Sequence, residues 1–441
     1  MTTPHEKIDL LIEARWIAPV EPDTVLKNHA VAIHQGQITA LLPTSEARAR
    51  FRPEKRVTLD DHILIPGLVN LHSHAAMNLM RGIADDLPLM EWLQQHIWPT
   101  EAEHVSAQFV YDGTRLACAE MLRGGITCFN DMYFFPDAAA QAASEFGMRA
   151  MLGITTLEFP TRYASDADDY LNKGLAVREK WLNHPRIGFC LAPHAPYSVS
   201  DSTFERVITL SEQLNLPIHC HIHETRQEVE DGLKQHGMRP VERLRRLGLL
   251  GPGLIGVHCV HMNDEDLHSF ATTGTSVAHN PTSNLKLGSG ISPVAQMQQL
   301  GINIGLGTDG AASNNRLDMF GEMRLAALLA KGSTENAAAL PAGQILRMAT
   351  LNGANALGLG HQIGSIIAGK AADLCAVNLA ALETRPCFDP LSQLIHAAGR
   401  EAVTHVWIDG KCCMEHKSLP NISQNDLDTA VALWQNRLEI R

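Results

Sequence analysis

No two of the nine cysteines stand in a Cys-x-x-Cys pair; their number is odd and their positions are scattered. Neither a disulfide framework nor a sulfur-ligated zinc site is indicated, and a reducing cytoplasm is the expected setting. No apolar stretch reaches 18 residues, so no membrane span is expected. The opening MTTPHEKIDLLIEARW interleaves acids and bases with apolar residues and lacks a basic region followed by an apolar core, so no secretory signal is read there. Basic residues number 36 against 48 acidic ones, and a net charge of -12 leaves no basic stripe to neutralise phosphates. Nucleic acid is therefore not an expected partner, nor is a membrane; self-association into a homo-oligomer is left open. Low-complexity tracts and like-charge runs are also missing, so order is expected throughout.

What is present is a regular alternation. The 441 residues suit one large domain and a smaller one. Between residues 63 and 309 stand eight short runs rich in apolar and β-branched residues: ILIPGLVNL, ITCFND, RAMLGITT, RIGFCLAPH, PIHCHIH, LIGVHCVH, TSVAHN and NIGLGTD. Segments with helical spacing separate them, among them SAQFVYDGTRLACAEMLRGG, DSTFERVITLSEQLNL and EVEDGLKQHGMRPVERLRRLG. Strand and helix in alternation imply parallel strands with helical crossovers, and eight such units close into a (β/α)8 barrel, expected over 65–361. Strands buried on both faces need not alternate polar and apolar residues, and these runs do not. Short strand patterns at the front (IDLLIEARWIAPV, NHAVAIHQGQITALLP, KRVTLDD) and at the back (GSIIAGKAADLCAVNL, AVTHVWIDGKCCM) predict one composite β-sandwich domain from 1–64 and 362–441.

Polar groups gather at the C-terminal ends of the eight runs, where barrel enzymes carry their chemistry. In LVNLHSHAAM, His72 and His74 lie two apart and so project to the same side of a strand. Further along come Asn130 and Asp131, Thr155 and Thr156, His194, His221 with Glu224, His258, His279 with Asn280, and Thr308 with Asp309. His72, His74, His221 and Asp309 suffice as nitrogen and oxygen ligands for a zinc ion, with a position left open for water. His219 and His223 share the side of His221, and alternation alone would let either replace it. The bland alternative is that such residues merely finish each strand with hydrogen bonds, which suits His261 and His279 better than a ligand role.

The phrases HSH after PGL, a histidine on the fifth run and GTDGAASNN after the eighth resemble the amidohydrolase superfamily over essentially the whole chain. Within it, LPLMEWLQQHIWPTEAEHV, GGITCFNDMYFFP, APHAPYS, HIHETRQEV and HNPTSNLKL are most similar to the deaminases of 5'-methylthioadenosine and S-adenosylhomocysteine. The resemblance implies that His221 is the fifth-strand ligand, that Glu101 holds a ribose diol and that His194 touches substrate. It also implies that Glu224 is the catalytic acid and His258 a proton-transfer group. Two-metal members carry a carboxylated lysine at the end of the fourth strand; LAPHAPYS has none there, which implies one Zn2+ per chain.

These roles fit one reaction. Zinc lowers the pKa of water to roughly 7; Asp309 and His258 can take the proton, and Glu224 can protonate the ring nitrogen beside the carbon under attack. Ammonia leaves and an inosine compound results. Trp92 is a candidate to stack on adenine, and Met77, Met90 or Phe135 to receive a thioether arm. Arg149 and Arg162 are left outside the site, Arg149 because it begins its strand. Rival readings are a guanine, 8-oxoguanine or triazine hydrolase of the same superfamily, and a metal-free scaffold. A cytidine-deaminase-type zinc site would need the missing Pro-Cys-x-x-Cys.

Overall fold

A computed structural model of the protein describes residues 6–439. Four strands open the chain: β1 (Glu6–Ile17), β2 (Leu26–His34), β3 (Gln37–Pro43) and β4 (Phe51–Pro66). Eight shorter ones follow, β5 (Leu68–Ser73), β6 (Ile126–Asp131), β7 (Arg149–Thr156), β8 (Ile187–Pro193), β9 (Ile218–Ile222), β10 (Leu254–His258), β11 (Ser276–His279) and β12 (Ile304–Leu306). The chain finishes with β13 (Leu374–Asn378), β14 (Val403–Ile408) and β15 (Lys411–Glu415), then a helix over Gln424–Glu439. The expected eight-unit barrel and the small β domain from both termini are both present.

Strands β5 to β12 pair in sequence order, and every pair is parallel. The seam between β12 and β5 is closed by other means. Asn70 donates from Nδ2 to Thr308 Oγ1 at 2.7 Å and accepts the Thr308 amide at 2.9 Å, while the Asp309 amide donates to the His72 carbonyl at 3.0 Å. This close approach needs Gly307, because a Cβ there would stand 2.4 Å from Asn280 Oδ1 and 2.8 Å from the His72 amide.

The first apolar run is divided between two sheets. Its ILIP half ends β4 and its LVNL half begins β5, and Gly67 carries the chain across. A Cβ at Gly67 would lie 2.1 Å from Thr127 Oγ1, so no larger residue fits that crossing. Of the back segment GSIIAGKAADLCAVNL, Leu374–Asn378 alone forms a strand.

In the small domain, seven strands form one sheet in the order β15-β14-β13-β4-β1-β2-β3. Two hairpins in it turn on two residues with positive φ, Gln35-Gly36 (50° and 81°) and Asp409-Gly410 (48° and 70°), the backbone signs of a type I′ turn. Leu10, Ile12, Ile33, Leu64, Leu374 and Trp407 bury one another against the sheet. The sheet meets the bottom of the barrel through Arg149, at the start of β7. Its guanidinium donates to Asp373 (3.1 Å) and Asp409 (2.7 Å), far from the strand C-termini, as the position in its strand predicts.

The connecting segments follow the helical patterns of the sequence. Ser106, Asp166, Ser200, Thr225 and Asn263 each accept a backbone amide at a helix N-terminus. The segment read as EVEDGLKQHGMRPVERLRRLG breaks at Gly237 (φ 68°) into helices Arg226–His236 and Pro240–Leu247. All nine cysteines are unpaired, and among the described residues no helix is long and apolar enough to cross a membrane.

Candidate active site

The barrel's geometry brings four donor atoms together at the C-terminal ends of β5, β9 and β12. His72 Nε2 stands 3.3 Å from His221 Nε2 and 3.2 Å from Asp309 Oδ1, and His74 Nε2 stands 3.2 Å from the same carboxylate oxygen. Ligands tetrahedrally disposed about an ion at 2.0–2.1 Å stand roughly 3.4 Å apart, so the spacing fits zinc. The tautomers agree. His74 Nδ1 donates to the Met132 carbonyl (2.6 Å) and His221 Nδ1 to the His194 carbonyl (2.8 Å), which leaves both Nε2 lone pairs facing the cluster. Two buried imidazole Nε2 atoms facing each other across 3.3 Å beside a carboxylate make a donor set that suits a divalent cation better than a hydrogen-bond network.

Alternation around β9 is as expected, but depth separates its histidines. His219 lies one layer lower, with Nε2 3.0 Å from His72 Nδ1, so it supports a ligand candidate from below. His223 follows the strand with φ 52°; its Nε2 accepts the Val241 amide at 3.2 Å and it turns away from the cluster. His261 bonds the Ser289 carbonyl (2.8 Å), and His279 is buried outside the cavity lining.

The turns that follow these strands are held by buried polar groups. Asp131 accepts the Ala75 amide at 2.7 Å and so fixes the bend after His74; burial raises its pKa to about 6. Asp309 sits at φ 61°, with Oδ2 accepting from Ser283 Oγ (2.7 Å) and Oδ1 from the Gly310 amide (2.8 Å). His258 adopts φ 69°, its Nδ1 bonded to Asn284 Oδ1 at 2.8 Å and its Nε2 3.7 Å from Glu224 Oε2. Left-handed backbone at His223, His258 and Asp309 is strain of order 1–3 kcal/mol each, concentrated where side chains must be aimed.

Glu224 is buried, which raises its pKa, while the nearby His258 pulls it down. Beneath it lies Glu228, unread in the sequence. Its two carboxylate oxygens accept the backbone amides of His223 (2.9 Å) and Glu224 (2.8 Å), and burial raises its pKa to about 8. A signal for it exists in Thr225-x-x-Glu228, the spacing of a capping box, except that the carboxylate reaches one and two residues beyond the cap.

Above these groups opens a cavity of about 510 Å³ lined by His74, His221, Glu224, His258 and Asp309, and also by Glu101 and His194. All eight predicted site residues therefore lie in or directly beneath one chamber. Glu101, on the helix Trp98–His104, accepts from the Tyr133 hydroxyl at 2.8 Å, and burial raises its pKa to about 7. His194 is bonded at Nδ1 to Ser198 Oγ (2.8 Å), and burial lowers its pKa to about 3, so it is neutral. Trp92 and Met77 line the chamber as expected; Met90 and Phe135 do not. Arg162, left outside by the sequence reading, is at the chamber wall with Trp98 and Phe159, and its Nη1 donates to the Glu103 carbonyl at 2.6 Å. These three lie outside the barrel strands, where no periodicity marks which side chains turn inward.

Fold and donor set together define a metal-dependent barrel hydrolase, and the Amidohydrolase family model matches residues 63–413: the chain belongs to that family. It is 46% identical, over 98% of its own length and 97% of the relative's, to a protein of Saccharophagus degradans named 5-methylthioadenosine/S-adenosylhomocysteine deaminase. A 5'-deoxyadenosine deaminase of Methanosarcina mazei is 40% identical over 92% of this chain and 93% of its own. Among solved structures, an adenosine deaminase from Xanthomonas campestris with bound zinc superposes with a TM-score of 0.98 at 50% identity, covering 99% of this chain and 100% of that one.

Proposed function

We propose that the protein is a zinc-dependent aminohydrolase of adenosine-type nucleosides, converting 5'-methylthioadenosine and S-adenosylhomocysteine to their inosine analogues with release of ammonia. The observation that carries this reading is the pair of separate buried carboxylates in one chamber, Glu224 beside the metal donors and Glu101 against Tyr133. The first suits a base under attack and the second a diol. The names borne by the relatives from Saccharophagus degradans and Methanosarcina mazei support the same substrate class.

His72, His74, His221 and Asp309 would hold one Zn2+ per chain. When bound, zinc supplies a nucleophilic water at neutral pH. Asp309 accepts a proton at its carboxylate. His258, whose Nδ1 is engaged by Asn284, has Nε2 free to take a proton and return it to the departing amine. Glu224, whose carboxyl burial pushes up toward its protonated form, delivers a proton to the purine ring nitrogen adjoining the attacked carbon. Glu228 holds the Glu224 backbone so that this delivery has a fixed direction. Neutral His194 offers substrate a hydrogen bond without charge, and Glu101 receives the ribose hydroxyls. Unpaired cysteines throughout agree with a cytoplasmic setting.

The test is kcat/KM for methylthioadenosine, S-adenosylhomocysteine, 5'-deoxyadenosine, adenosine, adenine, guanine and a chlorinated triazine. Adenosine-type nucleosides should lead; a free base or the triazine as best substrate would overturn the proposal.

A further inference from the structure

A second group of potential metal ligands lies on the small sheet, on strands β14 and β15. One donor atom each from His405, Glu415 and His416 falls within 4.8 Å of the other two. His405 is buried on β14, paired across from Glu415 on the edge strand β15. Its Nδ1 is bonded to Thr404 Oγ1 at 2.9 Å and its ring stacks on Trp407, with centroids 5.3 Å apart and planes 4° from parallel. With Nδ1–H donated to the hydroxyl, the Nε2 lone pair is directed toward Glu415, whose Oε1 lies 3.6 Å away. That separation is close to the roughly 3.4 Å expected between neighbouring nitrogen and oxygen ligands of a tetrahedral ion.

Neighbouring residues on a strand project to opposite faces, so Glu415 and His416 would ordinarily diverge. Here they converge, because His416 leaves the strand at φ 48° with its amide donating to the Thr404 carbonyl at 2.6 Å. A reciprocal pair of backbone bonds between Glu415 and Ser418 (3.0 and 2.9 Å) closes the turn. The His416 ring comes to 4.8 Å from that of His405, centroid to centroid. His62 lies with its ring 6.4 Å from that of His405, and its two ring nitrogens are buried with no hydrogen-bond partner among the described residues. Nothing in the proposed deaminase chemistry uses these four side chains.

We infer that His405, Glu415 and His416 form an accessory site for a divalent transition-metal ion. Two imidazoles and one carboxylate select zinc, copper or nickel over magnesium and calcium, which need several oxygen ligands. Two of the ligands are exposed and Lys55 contributes an opposing charge, so the site binds more weakly than the buried cluster in the barrel. An ion there would tie β14 to the end of β15, across the hairpin whose Asp409 grips Arg149 beneath the barrel.

The experiment is equilibrium dialysis of the full chain against Zn2+ buffers, with Mg2+ as control. Wild type should take up one tight equivalent and a second, weaker one, and no Mg2+ at the second position. His416→Ala and Glu415→Gln, both exposed and remote from the chamber, should weaken the second equivalent about tenfold or more, a loss at least that of removing an outer-sphere partner. They should leave the first equivalent and turnover unchanged. His221→Ala should do the reverse, which separates this site from the barrel cluster. With the barrel cluster already filled by zinc, a Cu2+ spectrum showing coupling to two imidazole nitrogens in wild type and one in His416→Ala is the second readout. A wild type that stops at one equivalent, or a second equivalent indifferent to both variants, would overturn the inference.

Discussion

Replacing Glu101 by glutamine isolates one charge in an otherwise unchanged wall. The amide oxygen still accepts from Tyr133, which now sits 2.8 Å from Glu101 Oε1, so the surroundings are preserved. What is lost is the carboxylate that two ribose hydroxyls would address. Charge-assisted hydrogen bonds contribute about 1.5–3 kcal/mol each, so two amount to about 3–6 kcal/mol, or roughly 10²- to 10⁴-fold in kcat/KM. Against this stands burial, which raises the free carboxyl to about 7. At pH 7 half the molecules are protonated, a penalty of about twofold, so the hydrogen bonds dominate. The sign with pH follows. The pKa is raised in the free enzyme and the diol prefers the ionised form, so nucleoside kcat/KM holds above pH 7 and falls by up to about tenfold per unit below it. Free adenine, lacking the diol, should not show this limb. The assay compares wild type and Glu101→Gln on methylthioadenosine and adenine from pH 5.5 to 8.5. A variant within about threefold of wild type on the nucleoside, or an acidic limb that survives the substitution, would refute the assignment of Glu101 to the ribose.

Three further substitutions probe the chemistry. Glu224→Gln keeps the shape and removes the acid, so turnover should fall about 100-fold or more while zinc content by atomic absorption stays at the wild-type level; activity within a few-fold would mean that another group protonates the ring. His221→Ala should abolish the tight zinc equivalent, and undiminished tight binding would exclude this histidine as a ligand. Glu228→Gln leaves one of the two amides of His223 and Glu224 facing an NH2 group, a buried mismatch of about 1–3 kcal/mol, so kcat should drop and its pH profile shift with zinc retained. An unchanged profile would reduce Glu228 to a structural cap.

The barrel was legible because its strands are buried on both faces: seven of the eight apolar runs contain one of the strands β6 to β12, and the first covers the start of β5. The run ILIPGLVNL conceals a change of sheet, since Pro66-Gly67 looks like a turn and the identity of the partner strand is a tertiary fact. Similarly, GSIIAG has strand-like composition but follows the helical segment ending at Ala356 and forms no strand. The candidate ligands could be read because strand ends converge by topology. What could not be read was depth: His219 and His221 obey the same alternation, and their different heights along the barrel, set by the pairing of β9 with β10, decide which one meets His74. Residues supplied by long connections, such as Arg162, Trp98 and Glu228's reach past its cap, depend on loop conformations without periodicity.

Pairing of β4 with β13 joins Pro66 to Leu374 and His62 to Asn378. In the finished molecule this is a simple antiparallel ladder; on the ribosome it is a delay. Some 300 residues must be translated after β4 before its partner exists, which at 5–20 residues per second is about 15–60 s. During that interval the N-terminal strands present an unpaired edge containing His62, Ile63, Leu64 and Ile65, of which the three apolar residues are completely buried in the folded protein. Such an edge is a template for pairing with other chains. The eight barrel units, in contrast, find their neighbours in order of synthesis. Nascent chains stalled before β13 therefore carry an open β4 edge that the finished protein covers.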